Sequence, residues 1–299
     1  MNKKKITFFN RVKDAVVNID EYRTIAEENV SVAIKYFLKL MLLFTIIVSS
    51  ILAYNLVQQT NSIIKTFEQE FPEFRVEDNL LVLETENQFI KGDEDGYFGI
   101  IMNNQVDNLD TIKDDIIYEN TVAFLKDKII IKMTNNTEVK MTYEELQNSG
   151  YDSNILSKQG ILNFVKSKNM TTVYITSILV LASMIFTMVT TQVIFDIFML
   201  SILAYLLSRI TGIKFKYKEI FNMSVYAITL SVILMAIYVC AKALIGFNIE
   251  YFQIAYDSIA YIYIVTAILI IKTDLIKQQI EVQKIINEQT KISEERKKE

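Results

Sequence analysis

YFLKLMLLFTIIVSSILAYNLV, Tyr36 to Val57, is an apolar run of 22 residues whose single charge, Lys39, sits near one end. At the rise of an α-helix it is long enough to cross the ~30 Å hydrocarbon core of a bilayer. A polar stretch follows, residues 58 to 169. After it come roughly a hundred residues in which long apolar blocks are broken only by short polar loops. This order predicts a membrane α-helical bundle of four or five hydrophobic helices, with a small α+β insert between the first and second.

Composition agrees. Hydrophobic residues make up 51% of the 299 positions while 22% are charged, so the apolar content must be gathered into blocks. The chain has no histidine, which excludes serine-histidine and cysteine-histidine catalysis and removes the commonest zinc and haem ligand. Its one cysteine, Cys240, lies in an apolar block and reads as a small packing residue. No catalytic, cofactor or nucleic-acid-binding motif stands out, so a non-enzyme with no cofactor is expected. Lys3, Lys4 and Lys5 precede the first apolar run by too many residues for a signal peptide, and the run reads as an uncleaved anchor.

Charge predicts the topology. Up to Lys39 there are eight Lys/Arg and five acids, whereas residues 58 to 169 hold eleven Lys/Arg against twenty Asp/Glu. Basic flanks stay inside, so the N-terminus is expected in the cytoplasm of a cell membrane and the insert outside. The block from Thr171 to Leu207 is followed by Arg209, Lys214, Lys216 and Lys218, a second cytoplasmic signature. Helices over about Phe221–Ile245 and Ile254–Ile271 flank a loop without Lys or Arg, and a charged tail ends the chain. One conflict stands. Thr171 to Leu207 is 37 residues, and Thr190-Thr191-Gln192 reads as the turn of a helical hairpin, which would make five crossings. Length favours five helices and positive-inside parity favours four.

The expected divisions are an amphipathic cytoplasmic region (1–35), a first crossing (36–57), an extracytoplasmic α+β domain (58–169), a C-terminal transmembrane bundle (170–272) and a charged helical tail (273–299). In the first, Phe9, Val12, Val16 and Ile19 form an apolar stripe that lies either on the inner leaflet or on the protein's own bundle. In the insert, Arg75 to Glu84 reads as a strand pair around Asp78-Asn79, and Tyr97 to Met102 as an extended run. Val122–Leu125, Ile129–Met133 and Glu138–Met141 read as a meander, and Thr142 with Glu145 as the capping box of a helix over Tyr143–Gln147. In the tail, Leu275, Val282 and Gln289 with Gln278, Ile285 and Ile292 give barely two heptads, too few for a coiled coil. A helix that docks on its own bundle or on a partner is expected.

Candidate chemistry is sparse. Asp93-Glu94-Asp95-Gly96 lacks the ligand alternation of a calcium loop and reads as a solvated turn, and Asp107, Asp110, Asp114 and Asp115 read as a solvated face. Asp196, Lys242 and Asp257 are the candidate intramembrane polar sites, because a charge in hydrocarbon is costly unless paired or wet. Lys242 and Asp257 flank one short loop, where an ion pair or snorkelling would account for them. Asp196 is interfacial if the long block is a hairpin and buried if it is one helix.

Three segments carry a family resemblance: Tyr22-Arg23-Thr24-Ile25-Ala26, Phe71-Pro72-Glu73-Phe74, and Tyr217-Lys218-Glu219-Ile220-Phe221-Asn222-Met223-Ser224-Val225-Tyr226-Ala227. With the order of parts, they resemble the domain of unknown function 1189 family of bacterial membrane proteins, grouped distantly with Yip-type proteins. The resemblance implies a membrane protein with no assigned active site, whose distant relatives are scaffolds and trafficking factors. Some members are labelled as maltodextrin-utilisation proteins, a pointer to sugar uptake. Such proteins carry a proline a little beyond Tyr226-Ala227. Here Thr229-Leu230-Ser231 stands instead, which puts a kink there in doubt. The implied partners are the lipid bilayer and another membrane protein, with the ligand unknown.

Overall fold

The computed structural model of the chain describes residues 7–84, 88–93, 95–112, 118–135, 137–149 and 155–295, side chains being described as far as 289. Two compact units emerge, one from residues 1–55 and 178–299 and the other from residues 56–177.

The first unit is helical. Helix α1 (Phe8–Val17) begins at Thr7, whose hydroxyl accepts from Asn10 N at 3.4 Å. A 3-10 turn (Ile19–Glu21) leads to α2 (Tyr22–Glu27) and then to α3 (Val30–Glu70). Helices α6 (Lys168–Ile210), α7 (Tyr217–Ala227), α8 (Thr229–Ile245) and α9 (Phe252–Glu295) complete it, after α4 (Tyr143–Asn148) and α5 (Lys158–Val165) of the other unit. Among the described residues four stretches are long and apolar enough to cross a membrane: Val30–Glu70, Lys168–Ile210, Tyr217–Ile245 and Phe252–Gln289.

The count is therefore four, and the block that reads as a hairpin is one helix of 43 residues. The reason lies in its hydroxyls. Thr191 Oγ1 donates to Thr187 O at 2.8 Å and Thr187 Oγ1 to Ser183 O at 2.9 Å, so these polar side chains are absorbed by the helix's own carbonyls. No glycine or proline is present to turn the chain. The helix assignment does break at Ile228 without a proline, yet Ile228 N still bonds Ser224 O (3.2 Å) and Val232 N bonds Ile228 O (3.0 Å). The backbone ladder thus continues on both sides of the break.

Helices α3 and α8 run parallel, as paired contacts show: Tyr36 with Thr229 at one end and Asn55 with the carbonyl of Ala243 at the other. The amphipathic α1 packs on this unit. Ala15 is buried, and Phe8, Val12 and Ile19 lie against the core, whereas Phe9 points away with 71% of its surface exposed. In the tail, α9 continues unbroken through residue 295, and Ile276, Ile280, Val282 and Ile285 are exposed. Over residues 276–289 the side chains of that helix are exposed. Its second heptad position at Ile292 lies outside the side chains described.

The second unit holds a two-stranded and a five-stranded sheet. Strands β1 (Phe74–Glu77) and β2 (Leu80–Leu83) pair from Phe74–Leu83 to Glu77–Leu80, around Asp78 and Asn79 at φ of 48° and 61°. Two consecutive residues at positive φ are what a two-residue hairpin requires. The larger sheet runs in the order β3 (Gln88–Gly92), β4 (Phe98–Asn103), β5 (Asn120–Phe124), β6 (Lys128–Lys132), β7 (Glu138–Thr142). Strands β5 to β7 form the expected antiparallel meander, while β4 and β5 are parallel and so are not joined as a hairpin.

Side-chain alternation sends Met102 to one face, with Phe71, Phe74, Leu81 and Tyr143, and Ile101 to the other, with Ala123, Leu125 and Ile130. Thr142 and Glu145 close the capping box, Glu145 N to Thr142 Oγ1 at 3.1 Å and Thr142 N to Glu145 Oε2 at 2.8 Å. Lys158 is buried, donating to Phe71 O at 2.7 Å and pairing with Glu73 at 3.2 Å. It ties the start of α5 to the Phe71–Phe74 segment.

Candidate functional site

Two polar clusters lie within the helical unit. The first joins the N-terminal helices to α7. Arg11 Nη1 donates to both Glu28 oxygens at 2.8 Å and to the Tyr226 hydroxyl at 2.6 Å, and Tyr226 in turn donates to Glu28 Oε2 at 3.3 Å. The hydrogen bond to the Glu28 carboxylate raises the Arg11 guanidinium above its ordinary range, so Arg11 stays charged. Tyr226 stacks on Tyr36 with centroids 4.3 Å apart and planes 6° from parallel. The Tyr36 hydroxyl shares a 2.9 Å hydrogen bond with Thr229 Oγ1. Beside it, Asn222 Nδ2 donates to the carbonyls of Ala26 (3.3 Å) and Glu28 (2.8 Å), satisfying the open C-terminal end of α2.

Tyr22 is buried, its hydroxyl donating to Ala15 O at 3.0 Å, and Tyr263 donates to Val16 O at 2.8 Å. Burial pushes the Tyr22 phenol well above its ordinary value, so it remains a donor at any physiological pH. Two of the three segments that carry the family resemblance, Tyr22–Ala26 and Tyr217–Ala227, thus meet one another.

The second cluster contains two of the sequence's three candidates. Tyr256 on α9 donates from its hydroxyl to Asp196 Oδ2 on α6 at 3.2 Å, and Ser231 Oγ on α8 donates to Tyr256 O at 2.7 Å. Asp196 and Asp257 line one cavity of about 190 Å³ with Met199, Ile228, Tyr256 and Tyr261. Asp257 also accepts from Gln253 Nε2 at 3.2 Å. Because α6 is one helix, Asp196 sits along its length and not at a turn. Two carboxylates and a buried phenol around a small cavity can share a proton or hold a compact cation.

Lys242 is not brought to this cavity. It lies in the last turn of α8, exposed, with its carbonyl accepting from Gly246 N at 3.1 Å. Among the described residues Lys242 and Asp257 form no ion pair, which leaves snorkelling as the account of the lysine.

In the insert, Asp93 closes its own turn by accepting from Phe98 N at 3.1 Å, and Glu94 lies outside the described residues. Asp110 accepts from Asn108 Nδ2 at 3.0 Å, while Asp114 and Asp115 also lie outside them. Among the described residues no group of three or more His, Cys, Asp or Glu could hold a metal ion.

Sequence reasoning missed Tyr256, Tyr226, Asn222 and the Arg11–Glu28 pair. A signal was present for the first three, which are hydrogen-bonding side chains inside apolar helices, a setting where each must find a partner.

Four helices long and apolar enough to span a bilayer among the described residues, interrupted once by an α+β unit, are compatible with a multi-pass membrane protein. More narrowly, the chain belongs to the family described as "Protein of unknown function (DUF1189)", whose model matches residues 9–288. No curated protein and no solved structure matches it.

Proposed function

We propose that this is a non-enzymatic integral protein of the bacterial cell membrane, a scaffold or sensor whose insert faces outward and whose two ends face the cytoplasm. With four crossings the basic N-terminal region, the Arg209–Lys218 turn and the charged tail would share one side and the acidic insert would take the other. That arrangement satisfies the positive-inside rule at every loop.

The observation that carries the reading is where the two compact units join. Both junctions, at residues 55–56 and 177–178, fall inside continuous helices, α3 and α6. In each the backbone is continuous helix, which supports a reading in which the insert reports to the bundle. At the far end of α3 sit the docked helices α1 and α2, and beyond α9 an exposed helical tail, both available to a cytoplasmic partner.

A second reading, an accessory component of a transporter such as one for oligosaccharides, is favoured by the Asp196–Tyr256–Asp257 cavity, since ionisable groups inside apolar helices commonly mark ion pathways. Affinity capture of the intact protein from detergent-solubilised native membranes separates the two. A membrane-protein partner that is lost when the insert is deleted supports the scaffold or sensor. Capture of a permease or transport ATPase whose uptake falls in an Asp196→Asn variant supports the transporter role. Recovery of no partner and no wall or sugar component on the insert contradicts both.

A further inference from the structure

The parallel helices α3 and α8 are pinned at both ends and open between. Tyr36 and Thr229 share a hydrogen bond at one end, and the Asn55 side-chain amide donates to Ala243 O at the other. Between these ties lies a groove of about 360 Å³, walled on α3 by Leu40, Phe44 and Ile47 and on α8 by Ile233, Ala236 and Cys240. Its lining is apolar throughout. The groove follows α3 from Leu40 to Ile51, about 16 Å at the helical rise. One leaflet of a bilayer is about 15 Å deep in hydrocarbon.

We infer that this groove is a binding site for one acyl chain of a membrane phospholipid. Length is the first reason, since the groove matches one chain extended through one leaflet. The second is its wall, where Ala236 and Cys240 leave a channel in α8 opposite the larger side chains of α3. The third is chemistry. A dry apolar cavity that opened to water would be costly, whereas one that opens among lipid tails is filled by the nearest hydrocarbon. At the Tyr36 end, Lys39 stands one helical turn before Leu43, exposed and with no ion pair among the described residues, where it suits the phosphate of the same lipid. The bound lipid would hold α3 and α8 at their present separation, as a wedge between two ties.

The inference rests on reading these helices as membrane spans, and the test separates the two. The intact protein is extracted from phosphatidylglycerol-containing membranes, and native mass spectrometry reads the lipid that survives release from the micelle. A protein recovered without detergent in the soluble fraction would defeat the membrane reading itself. The expected result is a mass shift of one phosphatidylglycerol on the wild type, lost in Ala236→Phe and kept in Ile202→Phe on the exposed face of α6. Alkylating Cys240 with N-ethylmaleimide in the folded wild-type protein should expel the lipid too, which removes dependence on whether Ala236→Phe folds. Lys39→Gln should lose the preference for phosphatidylglycerol over phosphatidylcholine. Lipid retained equally after Cys240 alkylation and in Ala236→Phe would overturn the site. A dimer mass that Ala236→Phe dissolves would overturn it in favour of a second copy of the chain.

Discussion

Arg11 shows how a single residue decides between two readings of the N-terminal region. Counted as one more charge on the polar face of α1, it is compatible with a helix floating on the inner leaflet. In the fold it reaches Glu28 and Tyr226 together, and that contact fixes α1 against the bundle. Arg11→Ala removes both bonds and leaves Glu28 half-satisfied. The pair keeps about a fifth of its surface open, 20% and 19%, so the cost should be only about 1 kcal/mol. The readout is hydrogen exchange of the 8–27 amides, which should quicken while those of α8 do not change. Equal protection in the variant would mean that Tyr22, Asn222 and Tyr263 hold the helices unaided.

Tyr143 in the insert makes a second prediction at the same scale. It is fully buried, with its hydroxyl on Leu125 O at 2.8 Å, and burial pushes its pKa far above the ordinary value of about 10. The neutral form is the one the folded state keeps. The contribution is therefore complete below the unfolded value and is lost as pH rises above about 10. The melting temperature of the isolated insert should fall more steeply between pH 9 and pH 11 (about one unit either side of that value) than that of a Tyr143→Phe variant.

Among the elements, the insert was read best where punctuation is local. The Asp78-Asn79 turn, the meander and the Thr142–Glu145 capping box each depend on a few neighbouring residues, and each stands where the sequence placed it. What escaped depends on partners distant in sequence. Strand β3 carries Gln88, Lys91 and Gly92, poor strand formers on their own, and exists because it pairs with β4. Helix α5 is anchored by Lys158, whose partners lie more than 80 residues earlier. The hairpin expected at Thr190–Gln192 failed for the complementary reason. Three polar residues signal a turn in a soluble chain, but here Thr191 returns its hydroxyl to the carbonyl of the turn before it, while the Thr190 hydroxyl is buried with no partner among the described residues.

A close approach in the same sheet invites a test. Gly92 and Gly99 face each other across β3 and β4, and a Cβ on either would come within about 2 Å of the Tyr118 ring. Gly99→Ala must displace that ring and should destabilise the insert by about 1–3 kcal/mol, seen as a lower urea midpoint. A substitution without effect would show that Tyr118 is free to move aside.

For the whole molecule, the sequence spoke clearly about class and faintly about the site. Apolar runs are long-range in consequence but local in signature, so the helical unit with its single insert was legible from the first crossing onward. Asp196 and Asp257 stand out in the sequence as charges within apolar blocks, but their meeting at one cavity was not legible, because it depends on how α6 and α9 align. Lys242 stands out on the same ground, yet it lies away from that cavity, exposed in the last turn of α8. The insert has its own apolar clusters and a tied-in terminal helix, so residues 60–168 expressed alone should melt in one cooperative transition. A broad, non-cooperative melt would show that it depends on the bundle.

The central claim is four crossings, with both ends inside and the insert outside, and substituted-cysteine labelling tests it most directly. In a Cys240→Ala background, Ser62→Cys on the segment of α3 that leads into the insert and Lys284→Cys on the α9 tail are each treated with a membrane-impermeant maleimide in intact cells. The account predicts that Ser62→Cys is labelled at once and Lys284→Cys only after lysis. Labelling of Lys284→Cys in unbroken cells would contradict it, because the number of crossings would then be odd and the single helix from Lys168 to Ile210 could not be one span among four.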